Sequence, residues 1–411
     1  MNPKRNIKQG AIRLAEHQNR REAVLEALNG AVGVVFAGEG SAPLVGKWRP
    51  DFSFLYLTGL DHEAGAAVLF DPTAEDAKRR IALFLRPMNP ELERWDGYRE
   101  QIGQALKDRT GFKTVMRATS LPAVLTTAAR RAKRLACLHP FSVYPAAASA
   151  DLEVFRKLSE RVPGVKIEDR TNLLPQMRAV KSPAELALMK EAAAATAAGY
   201  AAAMRMIRPG VSEADIANTL EQTYRAHGST GVPYNHIVGS GLHGTVLHYM
   251  DNSGIVQDGD LIVIDSAAEV AGYAADVTRT FPVNGRFTKE QREAYEVVLR
   301  AHSAAIKAAR PGVKMCEVDA AGRDVIEKAG YGDLFIHGIG HQLGLQVHDV
   351  TPDGALKAGM VITIEPGVYF PEKKMGIRIE DDVLVTGKGR EILTADIPRT
   401  IEDVEAAMRG K

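Results

Sequence analysis

The chain has 411 residues, 45% hydrophobic and 25% charged, with 52 Lys plus Arg against 51 Asp plus Glu and a net charge of +1. That balance gives no global field to attract nucleic acid or an anionic membrane, and the length exceeds one average core, so two domains are expected. Its two cysteines, Cys137 and Cys316, match no metal or redox spacing and suit a reducing cytosol, so a cytoplasmic protein is expected.

In chain order, Met1–Arg21 is polar and charged and lacks the apolar centre of a signal peptide. Residues 1–175 read as a mixed α/β domain. The short apolar runs Val34–Phe36, Phe54–Leu57, Ala67–Phe70 and Ile81–Leu85 read as strands, and helical patterns cover Glu100–Asp108, Ala123–Leu135 and Leu152–Arg161. The basic run Arg130–Arg134 lies on one of these helices and reads as a solvated face. A second domain, 176–411, opens at Ser182-Pro-Ala-Glu185, an N-cap serine with proline at the first helical position and glutamate at the third. The Ala-rich stretch Ala192–Met204 is too short to span a bilayer and reads as part of a soluble helix.

This second domain carries an internal repeat. Arg208-Pro-Gly-Val-Ser opens a helical stretch ending near His227-Gly228, and Arg310-Pro-Gly-Val-Lys opens another ending at Ala329-Gly330, an offset of 102 residues. Asp258-Gly-Asp-Leu-Ile-Val-Ile-Asp265 parallels Lys357-Ala-Gly-Met-Val-Ile-Thr-Ile-Glu365, a later strand carries Asp276 where its counterpart carries Glu380, and His248 and His348 are 100 apart. The pattern predicts two helix-then-hairpin units related by a pseudo-twofold, each offering two carboxylates.

Asp265, Glu365 and Glu380 adjoin β-rich apolar runs that should be buried. Buried carboxylates need compensation. Arg378 or Arg279 could pair with one acid each, but four acids in matched hairpins point to a shared partner. Two divalent cations balance four carboxylates, whereas one would leave two charges uncompensated. His341, in His337-Gly-Ile-Gly-His341, adds a nitrogen donor, and its flanking glycines argue for a loop or strand rather than a zinc-protease helix. Nitrogen beside oxygen donors favours Mn, Co, Fe or Zn over Mg or Ca. Such a pair of ions serves hydrolysis.

Gly272-Tyr-Ala-Ala-Asp276, His337-Gly-Ile-Gly-His341 through His348-Asp, Thr363-Ile-Glu365-Pro-Gly and Gly376-Ile-Arg-Ile-Glu380-Asp-Asp resemble the metal-binding segments of the pita-bread metallopeptidases. The likeness is to their Xaa-Pro aminopeptidase (aminopeptidase P) and prolidase branch. Phe52-Ser-Phe-Leu-Tyr-Leu-Thr-Gly59 and Arg94-Trp95-Asp-Gly-Tyr are similar to that branch's N-terminal domain. The resemblance implies an α+β fold, with an aminopeptidase-P-like N-terminal domain and a pita-bread catalytic domain.

It also implies two divalent ions, manganese first. Asp265 matches the aspartate on one metal, Asp276 and Glu380 the bridging carboxylates, and His341 and Glu365 the ligands of the other. Glu365 matches the general base toward a bridging water, and His248 and His348 match histidines that bind or stabilise the reacting peptide. Tyr234 and His337 match pocket walls, and Trp95 matches a residue that reaches a site, from its own or a neighbouring subunit. The implied substrate is a peptide with proline in second position, and the implied assembly a homodimer or homotetramer.

The expected activity is an Xaa-Pro aminopeptidase. An Xaa-Pro dipeptidase is the alternative on the same scaffold. A non-enzymatic binding module is disfavoured because every ligand position is filled, and a phosphoesterase is chemically possible. Arg378 is expected to orient Asp265 or Glu380 rather than contact substrate, and His302 to be a surface residue. Eight of the 11 histidines fall between His227 and His348, with His236 and His243 balanced between loop filler and site periphery. Gly239-Ser-Gly241-Leu-His-Gly244 fits the dinucleotide fingerprint, but Thr245–Tyr249 reads as a strand, leaving a pyrophosphate without its helix N-terminus.

Overall fold

Short continuous apolar runs, buried at nearly every position, form the central strands of the first unit's sheet. In a computed structural model, described for residues 12–40 and 48–409, the chain divides into two compact units, Ile12–Arg178 and Ala179–Lys411. In the first, β1 (Val32–Phe36), β2 (Ala67–Phe70), β3 (Ile81–Leu85), β4 (Thr114–Arg117), β5 (Arg134–Cys137) and β6 (Lys166–Asp169) form one sheet of order β4-β3-β2-β1-β5-β6. The β1–β2 and β2–β3 pairs are antiparallel and the others parallel. The helices are α1 (Leu14–Ala27), α2 (Phe52–Thr58), α3 (Pro90–Asp96), α4 (Gln104–Thr110), α5 (Leu121–Ala132), α6 (Ala150–Ser159) and α7 (Leu173–Ala179). Leu121, Leu125 and Ala128 of α5 and Phe155 and Leu158 of α6 join Val32, Val34, Ala67, Leu69, Ala82 and Phe84 in one core. Alternate strand residues thus share the covered face.

Four expectations need correction here and below. Phe54–Leu57 lies within helix α2 and is not a strand. Asp51 caps this helix, its carboxylate accepting the Ser53 and Phe54 amides, and Gly59 closes it at φ +69°. Two cap signals outweigh the β-propensity of an aromatic run. The basic run straddles the end of α5 and the start of β5, and two of its residues are ion-paired, Arg131 with Asp71 and Arg134 with Glu168. The polar N-terminal stretch lies outside the described residues up to residue 11.

The second unit holds two helix pairs, two three-stranded sheets and two two-stranded ribbons. The pairs are α8 (Pro183–Met206) with α9 (Glu213–Ala226), and α10 (Lys289–Ala308) with α11 (Met315–Lys328). The Ser182 hydroxyl accepts the Glu185 amide and the Glu185 carboxylate accepts the Ser182 amide, a full capping box for α8. Gly199 lets α8 meet α9 closely, since a Cβ there would lie 2.2 Å from the Tyr224 ring. No helix among the described residues is long and apolar enough to cross a membrane.

Strands β7 (Ile237–Ser240), β8 (Leu261–Asp265) and, after the short ribbon β9 (Glu269–Val270) and β10 (Tyr273–Ala274), β11 (Thr278–Pro282) form a sheet of order β11-β8-β7. In the second half, β12 (Val361–Ile364) precedes the hairpin β13 (Gly367–Phe370) and β14 (Met375–Arg378). Strands β15 (Asp381–Thr386) and β16 (Gly389–Ile392) complete a sheet of order β12-β15-β16, and α12 (Ile401–Arg409) ends the chain. Both sheets are antiparallel. One apolar core spans the unit, from Tyr200, Leu220, Ile262 and Ile264 to Val298, Ile362, Ile377 and Val383.

Thr245–Tyr249 is not the expected strand. Gly241–Thr245 is a 3-10 turn leading into an irregular loop. His302 is not a surface residue either. It is 1% exposed on the inner face of α10, where its Nε2 lies 3.2 Å from the Asp381 carboxylate.

Candidate metal centre

Each predicted acid sits at a strand end. Asp265 is the last residue of β8, its Cα opposite Thr278 of β11. Asp276 lies two residues before Thr278, Glu365 directly follows β12, and Glu380 separates β14 from β15. The strands bury the acids and the loops free their side chains to converge.

The four acids and His341 form a connected group. The Tyr234 hydroxyl lies 2.7 Å from Asp265 Oδ1 and 2.6 Å from Asp276 Oδ1, so its single proton spans both aspartates. His341 Nε2 is 3.5 Å from Asp276 Oδ2 and 3.8 Å from Glu365 Oε1. Ligand atoms of Asp276, His341 and Glu380 all lie within 4.8 Å of one another. The His341 Nδ1 donates to the Gln342 carbonyl at 3.0 Å, which leaves Nε2 free for a ligand.

Strand alternation explains how these groups are braced. Thr278 faces the acids, and its hydroxyl donates to Glu380 Oε2 at 2.7 Å and accepts from Arg378 Nε at 3.0 Å. Arg378 is 3% exposed, and its NH2 reaches Asp265 Oδ2 at 2.7 Å. Of the two outcomes expected for this arginine, it is Asp265 that it orients. Arg279, one residue on, faces the other way toward Asp381 at 2.7 Å.

The electrostatics call for cations. Burial raises the carboxyl pKa of Asp265, and the neighbouring Asp276 raises it further, against Arg378. Burial and the same crowd of acids raise Glu380 well above the ordinary carboxylate range. Glu365 is pushed up to about 7, first by burial. The His341 imidazole, despite burial, is raised to about 9 by Asp276 and Glu365. A cluster that holds protons this firmly holds a proton where a metal would bind. The donor set therefore fits divalent ions.

The other predicted residues border this group. The His348 ring is centred 4.1 Å from that of His341. His337 Nδ1 donates to the Gly338 carbonyl, so its Nε2 accepts the Tyr369 hydroxyl at 2.9 Å, and Nδ1 lies 3.9 Å from Glu365. Burial lowers the His337 pKa to about 4, so the ring is neutral. His248 is exposed on its loop, close enough to His337 and His348 to influence the titration of both. Trp95 belongs to the other unit, at 84% exposure. His236 bonds the Ser266 hydroxyl at 2.7 Å, and His243 lies against Glu213.

Sequence reasoning missed Thr278, Tyr369 and Asp382. The Asp382 carboxylate accepts the Asp276 amide at 3.2 Å. Thr278 had a usable signal, since it follows Asp276 at the strand spacing of two. Gly340 admits the His341 loop next to β12, because a Cβ there would lie 2.0 Å from the Thr363 carbonyl oxygen. We expect Gly340→Ala to cost about 1–3 kcal/mol of stability or more, and to lower metal content by displacing His341. Denaturant melts and metal analysis check this, and unchanged values in both would remove the close approach as a constraint.

Comparison with known proteins gives one consistent result. The profile described as Metallopeptidase family M24 matches residues 187–387, and that described as Aminopeptidase P, N-terminal domain, matches residues 17–136. An Xaa-Pro aminopeptidase of Haemophilus influenzae is 38% identical, covering 88% of this chain and 88% of its own. One of Escherichia coli is 34% identical, covering 96% and 97%. The solved proline aminopeptidase P II of Yersinia pestis superposes with a TM-score of 0.85 at 30% identity, covering 97% of this chain and all of its own.

Proposed function

From the premise that the chain belongs to metallopeptidase family M24, we propose that Asp265, Asp276, His341, Glu365 and Glu380 hold its divalent metal ions. The chain is a metal-dependent peptidase of pita-bread fold. It hydrolyses the bond between an N-terminal residue and a following proline, the Xaa-Pro aminopeptidase activity expected from its sequence. The observation that carries the residue assignment is the convergence of Asp276, His341 and Glu380 from two halves of the chain within 4.8 Å. Mixed nitrogen and oxygen donors support manganese, with Co, Zn or Fe able to replace it.

When bound, the two ions supply Lewis acidity toward the scissile carbonyl and lower the pKa of water. The chain's own groups do the rest. Glu365, with a carboxyl near neutrality in the ion-free protein, takes and returns the proton through its Oε atoms. The imidazoles of His248 and His348 stand where a developing negative charge can be stabilised. Arg378 and Thr278 hold the Asp265 and Glu380 carboxylates in place. Proline offers no N–H and a fixed ring, so its pocket needs shape rather than an acceptor. Tyr234 and the neutral His337 supply such walls.

We further propose a homodimer or homotetramer in the cytoplasm. Trp95 and Tyr98, 84% and 94% exposed, present aromatic surface that a subunit contact would cover, and through it Trp95 would join substrate binding. Two free cysteines support a reducing compartment.

The test is paired hydrolysis by metal-stripped and then Mn-loaded protein. An Xaa-Pro-Yaa tripeptide is expected to release free Xaa only after loading, with the matching Xaa-Pro dipeptide a poor substrate. Cleavage of the dipeptide alone would make it a dipeptidase, and metal-independent cleavage would remove the ligand assignment.

A further inference from the structure

The carboxylate of Glu213, the first residue of α9, is wholly buried. It gathers five donors from a single loop. The Ser240 amide and hydroxyl donate to Oε1 at 2.7 and 2.9 Å, and the Gly254 amide and Tyr249 hydroxyl donate to Oε2 at 2.7 and 3.0 Å. His243 Nδ1 lies 3.1 Å from Oε1, its ring stacked on Tyr249 at 4.3 Å. Burial opposes the charge, yet these donors, the Ser240 and Gly254 amides foremost, hold the carboxyl below its ordinary range.

This is the segment of the glycine fingerprint. Gly239 lies against the loop's own backbone, since a Cβ there would be 2.8 Å from the His243 carbonyl carbon, and a Cβ on Gly254 would be 2.7 Å from Glu213 Oε2. The glycines fold the loop over a protein carboxylate in place of a phosphate. His248 protrudes from its outer side, next to Tyr249. Asn252 adds a second clamp, bonding the Val238 amide and the His236 carbonyl.

We infer that Glu213 is a positioning residue for peptide hydrolysis, fixing His248 against the substrate through the Ser240–Gly254 loop and the Tyr249 hydroxyl. The inference rests on the role proposed for His248. A carboxylate that accepts from both ends of a loop and from the side chain beside its functional histidine restricts where that histidine can stand. An imidazole misplaced by about 1 Å is enough to cost about 10²-fold in rate.

The experiment is a double-mutant cycle on the Mn-loaded enzyme with an Xaa-Pro-Yaa tripeptide. Glu213→Gln, which keeps the shape but turns an amide toward the donors, is expected to lower kcat by up to about 10²-fold at unchanged metal content. Added to His248→Ala, it is expected to cost nothing more. Tyr249→Phe, which removes one hydroxyl, should show a smaller loss that also vanishes in the His248→Ala background, and it carries the test where Glu213→Gln fails to fold. Losses that multiply in the double variants, or full kcat in Tyr249→Phe, overturn the inference and leave the aminopeptidase reading intact. Full kcat in His248→Ala overturns the role proposed for that imidazole and the inference with it.

Discussion

Glu365→Gln is expected to remove about 10²–10⁴-fold of kcat while the protein folds as well as the parent or better. The amide matches the carboxylate in shape but can neither take a proton nor carry the charge a divalent ion needs. Its stability effect has a definite sign. Folding raises the Glu365 carboxyl to about 7, burial being the first cause. A group whose pKa rises on folding is, when ionised, a cost to the ion-free fold above the ordinary carboxylate range. Glutamine removes that cost. Melting of metal-stripped protein should therefore show an unchanged or raised midpoint at neutral pH, with turnover lost after Mn loading. Near-normal turnover would mean that Glu365 is neither the base nor a required ligand.

Asp265 and Glu365 stood out as ligand candidates because each follows a strand pattern with an unexpected acid, and His341 because glycines flank it in a histidine-rich segment. Leu261–Ile264 and Val361–Ile364 are β-rich runs followed by an acid, and the repeat pairs them. Apart from Arg378, what braces these acids was not legible. Tyr234 reaches Asp265 and Asp276 from 31 and 42 residues away, and Thr278 reaches Glu380 across 102. Such bonds depend on tertiary position and leave no local period. Glu213 is the same case, since nothing about the first turn of a helix announces a loop wrapped around its carboxylate.

Two misreadings had readable remedies. His302 follows Val298 and Ala301 and precedes Ala305 and Ile306, all buried on α10, so the helical stripe already placed it inward. Phe54–Leu57 is aromatic and apolar enough for a strand, but Asp51 before it and Gly59 after it are a cap pair at helix spacing. The N-terminal sheet was read only in part. Arg134 and Leu135, the start of β5, were absorbed into the preceding helix, because the left-handed Lys133 at φ +56° ends α5 without the glycine that usually marks such a stop.

Arg279→Ala is expected to cost about 3–5 kcal/mol, the usual penalty for breaking a buried ion pair from one side. Arg279 is 0% exposed and uses all its donors. Its Nε reaches the Pro398 carbonyl, NH1 the carbonyls of Thr278 and Glu380, and NH2 the Ile397 carbonyl and Asp381 Oδ1. The variant strips partners from four carbonyls and leaves a fully buried carboxylate. Burial would raise the Asp381 carboxyl, but Arg279, with His302 next, holds it below the ordinary range. A pKa depressed by folding contributes stability above the unfolded value and loses it as pH falls through the folded one. Without Arg279 the carboxyl rises, although His302, Arg399 and the Thr394 hydroxyl still face it, and ionised Asp381 contributes less stability at neutral pH. The loss should therefore be largest above about pH 4, near the unfolded aspartate value, and shrink in acid. Urea titrations at several pH values would measure it, with Arg279→Met plus Asp381→Leu recovering part of the stability because the buried charge is gone. A pH-independent loss, or no recovery in the pair, would mean that the pair's charge does not matter. Since NH1 also holds the Glu380 carbonyl, the single variant should bind metal more weakly even where it stays folded.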